Sequence, residues 1–335
     1  MVDNFSTMII WVLELTGASY LLSYGAEHLA KSFGTKFVGR TLLSVATTLP
    51  EIAIVVYAAA GGFYATAISS ALGSNLLMMT LGLSIMLLIA TTRLSMHPVK
   101  EIDVKPFQLD KYLLIITAVA SLIMFIDGFN FMDGIIFSAL FGVYLYFAYR
   151  EMAKERKELK TTSLEQNNET DKKESRKISA KAIITFAIGT VGIFVGAEPF
   201  IHALQGVSLD FGISVAILAI IISPVAGEMP EKISLMILAR KGAAGTSIAV
   251  ANVLGSKILN NTLLFAVAVF AAMLYHGFTA DIPVTNILWY QMILVTAITI
   301  ISLIPMLRNK LNLKSAILLL ALYIIGIGIQ FFLPK

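Results

Sequence analysis

This sequence of 335 residues contains no cysteine, and only 14 % of its positions carry charge. The first absence excludes disulfides and thiolate metal sites and leaves the redox compartment unread. The second sets the chain apart from ordinary soluble domains, which are roughly 25 % charged. The opening Met1-Val2-Asp3-Asn4 lacks the cationic segment of a cleaved leader, so the first apolar stretch is expected to be a retained span. A nucleophile elbow, a phosphate-binding glycine loop and a zinc signature are also missing. The four histidines, His28, His97, His202 and His276, have no metal-ligand spacing and are read as interfacial. No nucleophile–base pair emerges, which argues against a membrane enzyme. No cofactor and no nucleic-acid partner are expected.

What the chain has in quantity is apolar surface: 57 % of residues are hydrophobic and the mean hydropathy is +0.83. That is an integral membrane protein, with the lipid bilayer as its main surroundings. Runs of about 20 residues suffice to cross a bilayer. They fall at 8–30, 37–60, 64–90, 111–127, 131–149, 180–204, 211–239, 243–273, 284–305 and 313–333. The expected fold is therefore all-α with ten transmembrane helices. Residues 127–134, Asp-Gly-Phe-Asn-Phe-Met-Asp-Gly, read as a tight turn between two short helices. Residues 150–181 are rich in charge and polar side chains and read as a solvated tether with helical ends. The chain then divides into a first repeat (1–149), a cytoplasmic linker (150–181) and a second repeat (182–335).

Where the basic residues sit matters more than the net charge of +4. Of 25 lysines and arginines, 22 fall in the loops after the first, third, fifth, seventh and ninth spans. The opposite side and both termini hold Lys335 alone, while Lys232 and Lys257 lie within spans. This asymmetry places both termini outside. Five spans before the tether and five after it make the two halves enter the membrane in opposite directions, as inverted repeats do.

Motifs recur in both halves in the same order. Gly25-Ala26-Glu27 matches Gly196-Ala197-Glu198. Thr47-Thr48-Leu49-Pro50-Glu51 matches Gly227-Glu228-Met229-Pro230-Glu231, 180 residues later. Leu72-Gly73-Ser74 matches Leu254-Gly255-Ser256. A carboxylate in lipid is costly and is usually retained for function. A proline beside it removes a helical hydrogen bond, so these motifs are expected to break their helices and turn carbonyls near Ala46 and Thr47 toward a cavity. Thr47 and Thr48 share a face with Glu51, which makes an all-oxygen environment suited to hard cations. A proline kink with a glutamate bonded to a neighbouring helix is the simpler reading, and the duplication of the motif weighs against it.

The second motif carries an additional acid. Glu228 and Glu231 are three residues apart, with Lys232 on the same face, and two such carboxylates do not both ionise freely unless a cation sits between them. Asn252, Ser256 and Asn260 form one stripe, matched in the first half by Ser70, Ser74 and Met78. Close helix packing of small residues also accounts for these stripes. Intramembrane Lys257 needs a carboxylate partner; Glu228 is preferred, ahead of Glu198 and Glu27. Glu14 is a further acid within the first span.

These motifs resemble those of the cation/Ca²⁺ exchanger superfamily, most closely its prokaryotic Na⁺/Ca²⁺ exchanger branch. The turn from Ile126 to Gly134 resembles that branch too. The resemblance implies ten helices in two inverted five-helix repeats. It implies Ca²⁺ ligation by Glu51 and Glu231 with the backbone carbonyls of Thr47 and Gly227, and Na⁺ ligation by the hydroxyls of Thr48, Ser74 and Ser256. The chain departs from the family where Glu228 replaces a hydroxyl ligand and Met78 a polar residue, whereas Asn260 is kept. These departures leave the class of cargo in place and open the counter-ion and the stoichiometry.

The leading expectation is an antiporter, acting as a monomer, that exchanges Ca²⁺ for Na⁺ by alternating access. The runner-up couples Ca²⁺, or another divalent cation, to H⁺ through Glu228. A channel with a ring of acids stands third.

Overall fold

The computed structural model describes residues 3–33, 36–163 and 180–334. In the first half, α1 runs Asn4–Phe33, α2 Lys36–Ala60, α3 Tyr64–Leu77, α4 Leu83–Thr91, α5 Gln108–Met124 and α6 Phe131–Ser163. In the second half, α7 runs Ala180–Phe211, α8 Val215–Arg240, α9 Ala243–Leu259, α10 Phe265–His276, α11 Asn286–Leu307 and α12 Leu313–Gln330. Two short strands, β1 (Ile102–Asp103) and β2 (Lys310–Leu311), pair antiparallel. The chain is thus all-α in its spanning part, and among the described residues eight helices are long and apolar enough to cross a membrane. The charge of the Glu228-bearing segment sets α8 apart from them, and α2 has a shorter described apolar stretch, Ala46–Ala60.

The helix begun at Phe131 does not stop at the membrane edge but continues to Ser163. The run from Glu151 to Lys160 is built of Glu, Lys, Arg, Ala, Met and Leu, which are strong helix formers even without a packing partner. The rest of the expected tether, 164–179, lies outside the described residues. At the other end of α6, the turn is tightened by Asp133, whose carboxylate accepts from the Asn130 amide at 2.8 Å. Asn130 Oδ1 in turn accepts from the backbone N–H groups of Met132 and Asp133 at 2.8 and 3.3 Å, the reciprocal capping of a helix start.

α3 and α4 form one rod, Tyr64–Thr91, joined through a π-turn at Met78–Gly82. α9 and α10 form another, Ala243–His276, with a π-turn at Asn260–Leu264. These two rods are the centre of the molecule: 78 % and 72 % of their apolar windows are buried, against 17 % for Phe131–Arg150 and 28 % for α7. Their small side chains allow close backbone approach. The outer helices keep one apolar face for lipid, as Leu13 and Val191 illustrate. A π-turn leaves helical carbonyls poorly matched, and a threonine answers each: Thr80 donates to Leu76 O, and Thr262 to Ile258 O at 2.7 Å.

The expectation that the acidic motifs break their helices needs correction. Pro50 lies inside a continuous α2, and Pro224 and Pro230 lie inside a continuous α8. A proline deletes one helical hydrogen bond, and in α8 a neighbour compensates for it. Thr16 Oγ1 of α1 donates to Ala226 O, the carbonyl four residues before Pro230, at 3.4 Å.

Candidate cation site

α2 and α8 bring the two acidic motifs into contact. Gly227 of α8 faces Pro50 and Glu51 of α2: a Cβ there would stand in ordinary van der Waals contact, 3.4 Å from Pro50 Cβ and 3.6 Å from Glu51 Cγ. The consequence is a cluster of three carboxylates, Glu51, Glu228 and Glu231, whose oxygens lie within 4.8 Å of one another. All three residues are buried.

Their hydrogen bonds are incomplete. Among the described residues, both oxygens of Glu51 and one oxygen each of Glu228 and Glu231 are buried and find no hydrogen-bond partner. Glu231 Oε1 is held by Asn252 Nδ2 of α9 at 3.1 Å. Such orphaned acceptors are costly in an apolar interior unless a cation meets them. Two oxygens on opposite sides of one Ca²⁺, each at about 2.4 Å, are about 4.8 Å apart. One carboxylate oxygen from each of the three residues is thus close enough to the others to meet a shared hard cation.

Glu228 is different from the other two. Its Oε1 pairs with Lys257 Nζ at 2.5 Å, and neither side chain has any solvent exposure. Lys257 Nζ also donates to Ser74 Oγ at 2.8 Å and reaches Ser74 O at 3.4 Å. Ser74 Oγ is itself hydrogen-bonded to Glu228. The preferred partner of Lys257 is thus the one it takes, and the connection runs from α8 through α9 to α3.

Of the remaining predicted residues, Thr47 and Thr48 are buried on α2, one turn before Glu51. Ser256 is buried on α9 beside Glu231. Asn260 opens the second π-turn, and its amide meets Ser74 Oγ at 2.6 Å. Met78, the first-half counterpart of Asn260, joins an apolar cluster with Leu83, Leu87 and Leu254. Ser70 binds Ser223 at 2.9 Å, one residue before Pro224. Glu14 packs against Gly192 and Gly196 of α7. The histidines serve helix ends: His276 meets Ala60 O at 2.7 Å, and His202 packs edge-on against Phe63.

Two buried features escape sequence reading. Asn75 of α3 bonds Asn261 of the second π-turn, and Gln291 of α11 reaches Ser69 at 2.6 Å and Gln330 at 3.0 Å. The polar residue beside Ser74 was a signal for the first. Nothing in the apolar run of α11 marks where Gln291 points.

An uncharacterized membrane protein of Methanocaldococcus jannaschii is 26 % identical over 306 residues, which covers 91 % of this chain and 90 % of the relative. The solved structure of an H⁺/Ca²⁺ exchanger, CAX, superposes with a TM-score of 0.75 at 18 % identity, covering 99 % of this chain and 86 % of that one. A structure of the sodium-calcium exchanger NCX_Mj superposes with a TM-score of 0.64 at 23 % identity, covering 98 % and 99 %. The fold is theirs. Residues 4–150 and 181–332, on either side of the charged tether, match the sodium/calcium exchanger protein family, and the chain belongs to that family.

Proposed function

We propose that this chain is a secondary antiporter that exchanges Ca²⁺ for Na⁺ by alternating access, with Glu51 and Glu231 as the cation ligands shared in turn by both ions. The observation that carries this reading is the buried carboxylate cluster with its unpartnered oxygens. The backbone carbonyls of Thr47 and Gly227 would complete the Ca²⁺ shell. The hydroxyls of Thr48, Ser74 and Ser256, with Asn260 beside them, would serve Na⁺. Family membership and likeness to exchangers named for Ca²⁺ support the cargo.

Ten spans in two inverted repeats, 1–149 and 182–335, would surround this site, with both termini outside, the tether 150–181 in the cytoplasm and one chain sufficient. Several correspondences support the repeat. Each half runs two helices, a rod with a π-turn, then two more helices. The π-turns begin four residues after Ser74 and after Ser256. Ile102, in the loop after the first rod, pairs with Leu311 before the last helix of the other half. Ile282, in the loop after the second rod, pairs with Phe129 before the last helix of the first half. Gly25 of α1 lies against Phe186 of α7, and Gly196 of α7 lies against Leu15 of α1. An odd number of spans per half reverses the second half in the membrane.

Ca²⁺ uptake into inside-out vesicles is the test. It should follow an imposed Na⁺ gradient and vanish in Glu51→Ala; flux that survives that change refutes the site. A second reading, proton coupling through Glu228, draws support from the likeness to an H⁺/Ca²⁺ exchanger and from the unpartnered second oxygen of Glu228. A pH gradient would then drive Ca²⁺ flux in Na⁺-free buffer, and Glu228→Gln would abolish it.

A further inference from the structure

Lys257, paired with Glu228 of the cluster, is a buried cation that the antiport reading leaves without work. We infer that its ammonium is a tethered cation, held in a position built for a mobile monovalent ion. There it cancels Glu228, so that only the charges of Glu51 and Glu231 are left for mobile ions. One Ca²⁺ then exchanges for two monovalent cations without net charge movement. The inference rests on the antiport reading with Glu51 and Glu231 as shared ligands; with Ser74 and Asn260 taken by Lys257, it leaves Thr48 and Ser256 to mobile Na⁺, and proton coupling through Glu228 contradicts it.

The first ground is the set of atoms around Nζ. Glu228 Oε1 lies at 2.5 Å, Ser74 Oγ at 2.8 Å and Ser74 O at 3.4 Å. Asn260 adds an amide oxygen at 3.0 Å when its amide is turned to satisfy both ends, with its nitrogen then donating to Ser256 O at 3.3 Å. Carboxylate, hydroxyl, backbone carbonyl and carboxamide oxygens are the ligand types that hard cations take from proteins. An ammonium at hydrogen-bonding distance from the same oxygens satisfies them in the same way. Burial of the pair is complete, so bulk solvent takes no part in the neutralisation.

The second ground is a comparison within the chain. Three residues before Glu51 stands Thr48, and three before Glu231 stands Glu228; Ser74 is followed by Asn75, and Ser256 by Lys257. The second half has therefore gained one negative and one positive side chain at positions where the first half is neutral, and the two gained charges bond each other. Asn75 uses its amide for a neutral bond to Asn261 instead. A buried charge without its partner is strongly destabilising, which explains why both occur together. The neighbouring Lys232 does not replace Lys257 in this role, because its ammonium is directed to the Pro224 carbonyl at 3.0 Å.

The full chain in sealed vesicles, with membrane potential clamped independently of the Na⁺ or pH gradient, tests the inference. The steady-state Ca²⁺ accumulation ratio of the unmodified protein should not change with potential. In Lys257→Asn, Glu228 calls for one more mobile cation, and exchange moves one net charge. Moving one charge through roughly 100 mV is worth about 2.3 kcal/mol, which shifts the accumulation ratio by up to about 50-fold. The double change Glu228→Thr with Lys257→Asn reproduces the neutral pair of the first half. Any exchange by the folded double variant should again ignore potential, and this arm stands even if Lys257→Asn alone does not fold. Potential-dependent accumulation in the unmodified protein overturns the tethered cation while leaving antiport intact. A folded double variant whose Ca²⁺ accumulation follows potential overturns it as well. Absence of gradient-driven Ca²⁺ flux in the unmodified protein overturns the antiport reading and this inference with it.

Discussion

Gly73 of α3 faces the backbone carbonyl of Ile220 in α8 so closely that a Cβ on Gly73 would overlap the Ile220 oxygen. The contact has a local cause. Ile220 lies four residues before Pro224, whose missing N–H deprives that carbonyl of its helical donor. It leans on α3 instead, and only glycine leaves room. Gly73 and Ile220 thereby fix the distance between the helices that carry Ser74 and Glu228. Gly73→Ala forces them apart at a cost on the order of 1–3 kcal/mol, the usual range for overpacking. We expect Tm in detergent to fall by several degrees and Ca²⁺ flux to fall at least about tenfold by the same overpacking. Gly17→Ala and Gly142→Ala, where a Cβ meets nothing within 4 Å, serve as controls and should do neither. A Gly73→Ala protein with unaltered Tm and flux refutes the account.

The two repeat glutamates are not held alike. Asn252 fixes one oxygen of Glu231 at 3.1 Å, whereas both oxygens of Glu51 are unpartnered. Glu231 is thus pre-positioned, and Glu51 is free to close on an arriving ion. Asn252→Ala removes one hydrogen bond to a charged group, worth about 1.5–3 kcal/mol. The bound ion recovers part of that by reorienting the carboxylate. The apparent affinity for Ca²⁺ should fall by roughly tenfold, corresponding to about 1.4 kcal/mol, with the maximal rate much less changed. Initial-rate measurements across Ca²⁺ concentration check this. Equal losses in rate and affinity would mean that Asn252 acts in the transport step and does not position Glu231.

Much of this architecture is legible in the sequence because apolar length and acid in lipid are unambiguous signals. The spans at 64–90 and 243–273 coincide with the two central rods, Tyr64–Thr91 and Ala243–His276. Glu51 and Glu231 come together as the duplicated motifs imply. Other features depend on neighbours that no local pattern names. Proline suggested a broken α8, yet Thr16, 210 residues distant in sequence from Ala226, takes up its carbonyl. The π-turns at Met78 and Asn260 have no propensity signature, since a single extra residue per turn is set by packing. Lys257 announced that it needed an acid, but several were within sequence reach, and only the crossing of α8, α9 and α3 selects Glu228.

Lys111 shows that a basic residue near a span end can also be structural. It is fully buried at the start of α5, and its ammonium donates to Met306 O at 3.0 Å and Asn309 Oδ1 at 2.8 Å. Met306 is in the last turn of α11, where carbonyls lack helical donors, and a cation there also meets the negative end of the helix dipole. Asn309 has a positive φ of 61°, and its side-chain oxygen accepts from Gln108 as well, at 2.8 Å. Lys111 therefore ties α5 to the turn that leads into β2, distant in the chain from the carboxylate cluster. Lys111→Met keeps the aliphatic stem and removes two charge-assisted hydrogen bonds, leaving Met306 O to the Asn309 N–H at 2.9 Å and Asn309 Oδ1 to Gln108, at a cost on the order of 1–3 kcal/mol. Tm should drop by several degrees, while the apparent affinity for Ca²⁺ in the protein that remains folded stays within about twofold, a change below about 0.5 kcal/mol. A large affinity loss at unchanged Tm would instead place Lys111 in the transport pathway.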